Sequence, residues 1–348
     1  MTGLQERLLQ KSTLDHTAIL SESKLMANQD ITSTSIPMIN VALSGSVTGG
    51  FPSGLLMIAG QSKHFKTAFS LLIASAYLKR HKDAILLFYD SEFGSPQSYF
   101  KTFGIDNNRV VHCPVQDIET LKIDIVQQLE AIQKNDKVFI LIDSIGNLAS
   151  KKETDDAKDG KSVADMSRAK AFKSFFRLVT PYLTLRNLPM IAINHTYKEI
   201  GMYPKDIVSG GTGAYYSSSA VWIIGRQQEK DGKELQGFNF IINVEKSRFV
   251  KEKSKIPITV TFEEGIHKWS GLFENALEGN FITKSKVGWY QLVDQKTGEL
   301  VGKSFRQDDV ANDTEFWQTM FQTTEFSKFL ETKYKLVLDD EKMETENV

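Results

Sequence analysis

The stretch LLMIAGQSKHFKT, residues 55–67, decides the fold. Its first five residues are apolar without alternation, as in a parallel strand covered on both faces. Gly60 then opens a loop that closes on Lys66 and Thr67, and an apolar helical segment follows over residues 68–78. Strand, turn and helix in this order make a phosphate cradle. Backbone N–H groups and the helix N-terminus face the anion, the lysine reaches the outer phosphates, and the hydroxyl holds magnesium. One position departs from G-x-x-x-x-G-K-[ST]: Phe65 stands where glycine lets the backbone approach a phosphate without a Cβ. A phenylalanine fits there only if its ring turns away from the nucleotide. The plainer alternative is an ordinary strand-to-helix turn with a surface lysine.

Outward from this stretch the chain alternates strand and helix, which implies a parallel sheet with right-handed crossovers. Strands are expected at 84–89, 110–113, 138–144 and 189–193, with a helix over 118–133. The strand VFILIDS (138–144) matters most. Five apolar residues ending in Asp143 form a Walker B pattern, at the carboxyl end of a strand where open α/β sheets bind ligands. Paired with the residues 60–67 loop, Asp143 points to an ATP site, where it holds magnesium through water. Asp90 and Glu92 end the neighbouring strand. A carboxylate there orients or deprotonates the attacking water, the alternative being a cap on the following helix. Asn194-His195-Thr196 ends a further strand at the same edge, and His195 there suits a γ-phosphate sensor.

The composition sets limits. The 348 residues carry a net charge of −1, so any binding of nucleic acid must rest on local positive charge. Nothing in the sequence approaches about 18 consecutive apolar residues, and the first residues lack an apolar signal core. The single cysteine, Cys113, excludes an intramolecular disulfide and fits a reducing, cytoplasmic setting.

Residues 1–30 read as helical and partly amphipathic, and 36–54, rich in Gly, Ser and Pro, as a strand and turns. Residues 151–166 are highly charged with mixed signs and read as a mobile loop. After them Lys170, Lys173 and Arg177 share a helix face, a plausible phosphate-contacting stripe that could equally be a solvated surface. Residues 197–213 form a long glycine-rich segment with Gly210 and Gly211. Strands are expected over 221–224 and 238–244, the second running into EKSRFVKEKSK (245–255), whose positive charge suits either DNA or the phosphates bound by an adjacent subunit. From Ser270 the character changes: a helix over 272–282, a hairpin turning at Thr297-Gly298, and helices over 315–321 and 326–336.

Five stretches are specific together: IPMINVALSG (36–45), LFYDSEFG (87–94), IDSIGNLASKKETDDA (142–157), AINHTY (192–197) and NVEKSRFVKEKSK (243–255). They resemble the RecA class of strand-exchange ATPases, and within it the UvsX recombinases of tailed phages, in which a phenylalanine also precedes the P-loop lysine. The resemblance covers almost the whole chain. It implies an α/β fold: a RecA-like P-loop ATPase core with a mostly parallel central sheet over 36–269. An N-terminal helical oligomerisation segment over 1–35, a small C-terminal α+β domain over 270–338 and a disordered acidic tail over 339–348 complete it.

The resemblance further implies ATP and Mg2+, bound through Gly60, Lys66, Thr67 and Asp143, with Thr67 and Asp143 at the metal. Glu92 would be the catalytic base, Tyr99 would stack on adenine, and His195 would take the place of a sensing glutamine in bacterial RecA. Lys246 and Arg248 match cations presented to the ATP of the next protomer. Residues 151–168 and 197–213 match the two DNA-binding loops, with Lys170, Arg177, Gly210 and Gly211 as DNA contacts. The implied partners are single-stranded DNA, homologous double-stranded DNA, further copies of the chain in a helical filament, and single-strand-binding and mediator proteins. The implied activity is homologous pairing and strand exchange in recombination, repair and recombination-dependent replication, in the host cytoplasm if phage-encoded. Two other readings stay open. A hexameric helicase on the same core is disfavoured by the short N-terminal segment. A filament-forming DNA-binding protein with a degenerate nucleotide site is supported only by Phe65.

Overall fold

Helix α1 (Gly3–Lys11) begins the chain and buries none of its residues. The computed structural model describes residues 3–23, 30–160, 167–199, 206–210, 212–232 and 234–336. Among the described residues of 1–30 the expected helical pattern shows as α1 and a 3-10 turn, Leu20–Glu22; residues 24–29 lie outside the described residues. A nine-residue helix without a buried face has little to hold it in water. Residues 36–54 correct the sequence reading more sharply. They begin with a helix, α2 (Pro37–Ser44), that buries Met38, Ile39, Val41, Ala42 and Leu43. Pro37 sits in its first turn, where a missing N–H costs nothing, and Gly45 closes it at a left-handed φ of 78°. The Pro and Gly that suggested turns are the start and stop of this helix.

Then come β1 (Gly54–Gly60), α3 (Lys66–Arg80), β2 (Ile85–Asp90), α4 (Gln97–Thr102), β3 (Val110–Pro114), α5 (Ile118–Ala131) and β4 (Val138–Asp143). The charged segment after β4 opens as a helix, α6 (Lys151–Lys158), and not as a loop. Ser150 accepts from the Glu153 N–H, and the Glu153 side chain accepts from the Ser150 N–H, a capping box. Helix α7 (Ser167–Leu185) and β5 (Pro189–Asn194) follow. The glycine-rich segment is framed by a short antiparallel ribbon of β6 (Thr196–Lys198) and β7 (Asp206–Val208), then α8 (Thr212–Ser217). Next are β8 (Ala220–Asp231), β9 (Glu234–Ser247), β10 (Lys255–Thr261) and β11 (Gly265–Ile266). Strands β8 and β9 outrun the sequence expectation because they pair with each other along almost their whole length.

One nine-stranded sheet runs β11-β10-β9-β8-β1-β5-β4-β2-β3. From β8 to β3 all neighbours are parallel, and β9 to β11 extend the edge as an antiparallel ribbon. Residue parity assigns the apolar runs to two cores. Leu56, Ile58, Phe88, Leu141 and Ile193 face one side with α2 and α3. Leu55, Met57, Tyr89, Ile142 and Ala192 face the other with α5 and α7. Both faces being covered is why the strands show no polar alternation.

The last unit contains α9 (Leu272–Glu278), the sheet β12 (Ile282–Lys286), β13 (Trp289–Val293) and β14 (Leu300–Phe305), then α10 (Gln307–Ala311), α11 (Thr314–Thr323) and α12 (Phe326–Tyr334). Its Trp317, Phe326, Leu330 and Tyr334 join the same apolar cluster as Met38 and Val250. The expected tail, 339–348, lies outside the described residues. Among the described residues no helix is long and apolar enough to cross a membrane.

Candidate active site

The carboxyl ends of β1, β2, β4 and β5 meet at one sheet edge because these strands are parallel and adjacent. Asp90 and Asp143 are register partners, as are Ala59 and Asn194. The strand ends that the sequence singled out therefore lie side by side.

Phe65 takes φ 61° and ψ 18°, a left-handed conformation that costs an L-residue about 1–2 kcal/mol and costs glycine little. Its half-buried ring packs against the core at the wall of the cleft, stacking on Phe240 (centroids 4.8 Å, planes 18° apart) and meeting Phe69 edge-on at 5.4 Å. The departure from the P-loop pattern is thus offset by aromatic packing, about 0.5–1.5 kcal/mol per pair beyond area burial. Phe65→Ala keeps the strain and loses the packing, whereas Phe65→Gly loses both. Thermal unfolding should therefore rank Phe above Gly above Ala, with Gly and Ala separated by about 1 kcal/mol. Alanine matching or exceeding glycine would show that the left-handed backbone is not the controlling factor.

Lys66 is 7% exposed and its Nζ donates to the Gln61 carbonyl at 2.8 Å. Burial pulls its pKa below the ordinary value, while Glu92 and Asp143 oppose that shift. Thr67 Oγ1 donates to Asp143 Oδ2 at 2.7 Å. The other oxygen, Asp143 Oδ1, is buried with no hydrogen-bond partner among the described residues. A hydroxyl, a carboxylate with a spare oxygen and a nearby ammonium fit a magnesium nucleotide. Among the described residues no group of three or more His, Cys, Asp or Glu could hold a metal. Magnesium needs no such cage, because it is usually held by one or two protein groups plus substrate phosphates.

Burial first, then Glu92 and Asp90, push the Asp143 pKa up from 3.8 to about 6. The folded chain therefore binds this proton more tightly than the unfolded chain does. The cost of the buried carboxylate is absent below about pH 4, grows as pH rises through 6, and is complete above it, where it is of the order of 3 kcal/mol. Asp143→Asn should raise the thermal stability of the nucleotide-free protein at pH 7.5 and lose that advantage near pH 4. Equal stabilisation at both pH values would refute the buried charge as its source.

Glu92 faces this group from the turn after β2. Its Oε1 lies 3.1 Å from His195 Nε2, which is also 3.2 Å from Ser144 Oγ. The His195 hydrogen bond, opposed in part by burial, holds the Glu92 carboxyl below its usual range. Asp90, the second carboxylate offered by the sequence, does not face the cleft. Its Oδ1 accepts from the N–H groups of Glu92 (3.1 Å) and Phe93 (2.7 Å), so it caps the turn that carries Glu92.

The sequence places Asn194 at the end of β5 but gives no sign of its partner; the side chain is fully buried. Its Nδ2 donates to the Ser209 carbonyl at 2.8 Å and its Oδ1 accepts from His195 N. The Ser209 N–H in turn donates to the His195 carbonyl at 2.9 Å. The end of β5 is so tied to the returning end of the glycine-rich segment.

A cleft of about 660 Å³ joins residues 62–68, Glu92, Asp143 and His195 to Tyr99. Its other wall is aromatic: Phe238, Phe240 and Phe262, with the Arg226 guanidinium 4.7 Å from the Phe238 ring centroid. The alternation Phe238-Asn239-Phe240 was the available signal for this wall. Gly60 lies behind the loop; a Cβ there would meet the Ile224 carbonyl at 3.0 Å, so it serves strand packing. A larger groove, about 910 Å³, lies in the C-terminal unit but holds none of these groups, so chemistry and not size selects the site.

The remaining candidates lie elsewhere. Lys246 Nζ donates to the Tyr215 (2.9 Å) and Tyr216 (3.1 Å) carbonyls at the end of α8, and Arg248 is exposed beyond it. Lys170 and Arg177 are exposed on α7. Gly210 has φ 89° and approaches the Phe172 ring, where a Cβ would sit 3.3 Å from Cδ1. Gly211 lies outside the described residues.

Comparison with known proteins agrees with this geometry. Residues 8–267 match the profile of the RecA N-terminal domain. Residues 269–330 match that of the bacteriophage T4 recombination and repair protein, C-terminal domain. The chain is 50% identical over 340 residues to the recombination and repair protein of enterobacteria phage T4, covering 97% of this chain and 87% of that protein. It is 27% identical to Protein RecA of Mycoplasma mycoides, over 72% of each chain. Protein RecA of Bacteroides thetaiotaomicron is 28% identical, covering 75% of this chain and 77% of that one.

Proposed function

The chain belongs to the RecA family, and on that premise we propose that it is a recombinase of DNA recombination and repair: a DNA-dependent ATPase that forms filaments on single-stranded DNA and exchanges homologous strands. The observation that carries this reading is the convergence of Lys66, Thr67, Asp143 and Glu92 on one cleft at the carboxyl edge of the sheet.

Lys66 and the α3 N-terminus neutralise the phosphates of ATP, and Tyr99 provides a face for the base. Thr67 and Asp143 would hold magnesium, which supplies further charge neutralisation when bound. Glu92, kept ionised by His195, takes the proton of the attacking water. A γ-phosphate competes for His195, and the Asn194–Ser209 clamp passes that displacement to residues 197–213, the second DNA loop. Lys170 and Arg177 contact DNA through its backbone, so sequence is read by pairing with the incoming strand. Lys246 and Arg248 serve the ATP of the neighbouring protomer, so turnover belongs to the assembled filament.

Phosphate release, measured with and without single-stranded DNA at two salt concentrations, tests the reading. Strong, salt-sensitive stimulation is expected. Slow turnover indifferent to DNA would overturn the coupling.

A further inference from the structure

Glu92 reaches the cleft from a turn whose next residue, Phe93, is in the left-handed region (φ 54°) and 58% exposed. Packing of Phe93 therefore does little to hold this turn. Ser91 anchors its start, its N–H donating to the Asp143 carbonyl at 2.9 Å and its Oγ to the Ser144 carbonyl at 2.7 Å, while the Glu92 and Phe93 N–H groups that follow are held by the Asp90 carboxylate, 4% exposed. The second Asp90 oxygen, Oδ2, is engaged from the other side, by His112 Nε2 at 3.2 Å. His112 stands on β3, the edge strand, and lies flat on the buried Phe88 (centroids 5.6 Å, planes 22° apart). Its register partner on β2 is Phe88 itself. The imidazole is thus fixed by stacking and by strand pairing, with a ring nitrogen directed at the carboxylate.

We propose that Asp90 and His112 are a positioning pair for Glu92: the imidazole on the edge strand fixes the buried carboxylate, and the carboxylate fixes the turn that aims the base. This rests on Glu92 acting as the base of ATP hydrolysis. Neither member faces the cleft, so both act through Glu92. The consequence is kinetic. A base misplaced by about 1 Å can lose two powers of ten in rate while substrate binding is hardly changed. Removing His112 leaves Asp90 in place but frees it to rotate, so a smaller loss is expected from that change alone.

The test uses His112→Phe and His112→Gln in the full chain. Phenylalanine keeps the stack on Phe88 and deletes the donor. Glutamine restores an N–H at nearly the same reach. His112 is half-exposed on an edge strand, so neither change threatens the fold. With single-stranded DNA present, His112→Phe should lower kcat about three- to tenfold with KM for ATP within about twofold, and His112→Gln should recover most of that loss. Hydrogen exchange, read by mass spectrometry on the nucleotide-free protein, should be faster in His112→Phe across the segment holding the Glu92 and Phe93 amides. Wild-type kcat with wild-type exchange in the phenylalanine variant overturns the pair, as does an equal loss in both variants. If the wild type itself hydrolyses no ATP, the ATPase reading fails, and the exchange measurement still decides whether His112 holds the turn.

Discussion

Lys66→Ala is expected to remove ATP turnover, lowering DNA-stimulated kcat at least about a thousandfold while the chain stays folded. The argument begins with burial. A lysine 7% exposed costs free energy to desolvate in its charged form, and here the nearby carboxylates of Glu92 and Asp143 offset part of that cost. Among the described residues its ammonium donates to the carbonyl of Gln61, within its own loop. That contact is a holding position, easily exchanged for a phosphate oxygen. Charge develops on the phosphate in the transition state, and a preorganised donor in a site shielded from water is worth about 10²–10³ in rate. Alanine also leaves Glu92 and Asp143 without the nearby cation, and their charge then repels the triphosphate before any chemistry occurs. Fold retention follows because Lys66 occupies the first turn of α3, where alanine is a good helix former. Phosphate release and thermal unfolding on the same preparation check both halves. Near-normal hydrolysis in a folded Lys66→Ala variant would remove the P-loop assignment, and with it the nucleotide site.

The residues of that site were legible in the sequence because each is announced locally. Strands β1, β2, β4 and β5 are buried on both faces and read as apolar runs, and the residue ending each run, Gly60, Asp90, Asp143 or Asn194, marks the carboxyl edge. Phe65 was legible as an anomaly but not as a solution, since its partner Phe240 is distant in sequence and fixed by the pairing of β8 with β9. Helix α2 was misread because Pro and Gly punctuate both turns and helix ends, and only the burial of Met38 to Leu43 separates the two. Helix α6 lies in a charged stretch that resembles a loop, and its local signal is the S-x-x-E capping box at Ser150 to Glu153. The Asn194–Ser209 clamp and the Asp90–His112 contact are tertiary. Nothing in the spacing of 15 or 22 residues foretells them.

The second large effect concerns Lys246 and Arg248, which the fold keeps out of their own cleft. Lys246 closes the C-terminal end of α8 through two carbonyls and lies 5.3 Å from the Tyr215 ring centroid. A cation at a helix C-terminus is favourable in itself, so a purely local role is the competing explanation. Burial, and then the charge of Arg248, lower the Lys246 pKa, with Glu252 opposing them in part. Like charges gathered in this way are relieved by an anion, and the triphosphate on an adjacent protomer is the anion the filament reading supplies. The double variant Lys246→Ala/Arg248→Ala should then lose about 10³–10⁵ in kcat, the range found for cationic fingers supplied in trans. The decisive measurement is a mixture. Glu92→Gln has a dead cleft and intact cations; the double variant has the reverse. In a random 1:1 filament about a quarter of the interfaces combine an intact cleft with intact cations, so the mixture should recover about a quarter of wild-type turnover. Cations acting within their own chain predict no recovery at any ratio, because each chain then carries a defect in its own site. A role confined to α8 also predicts none, and adds a loss of thermal stability that mixing cannot repair.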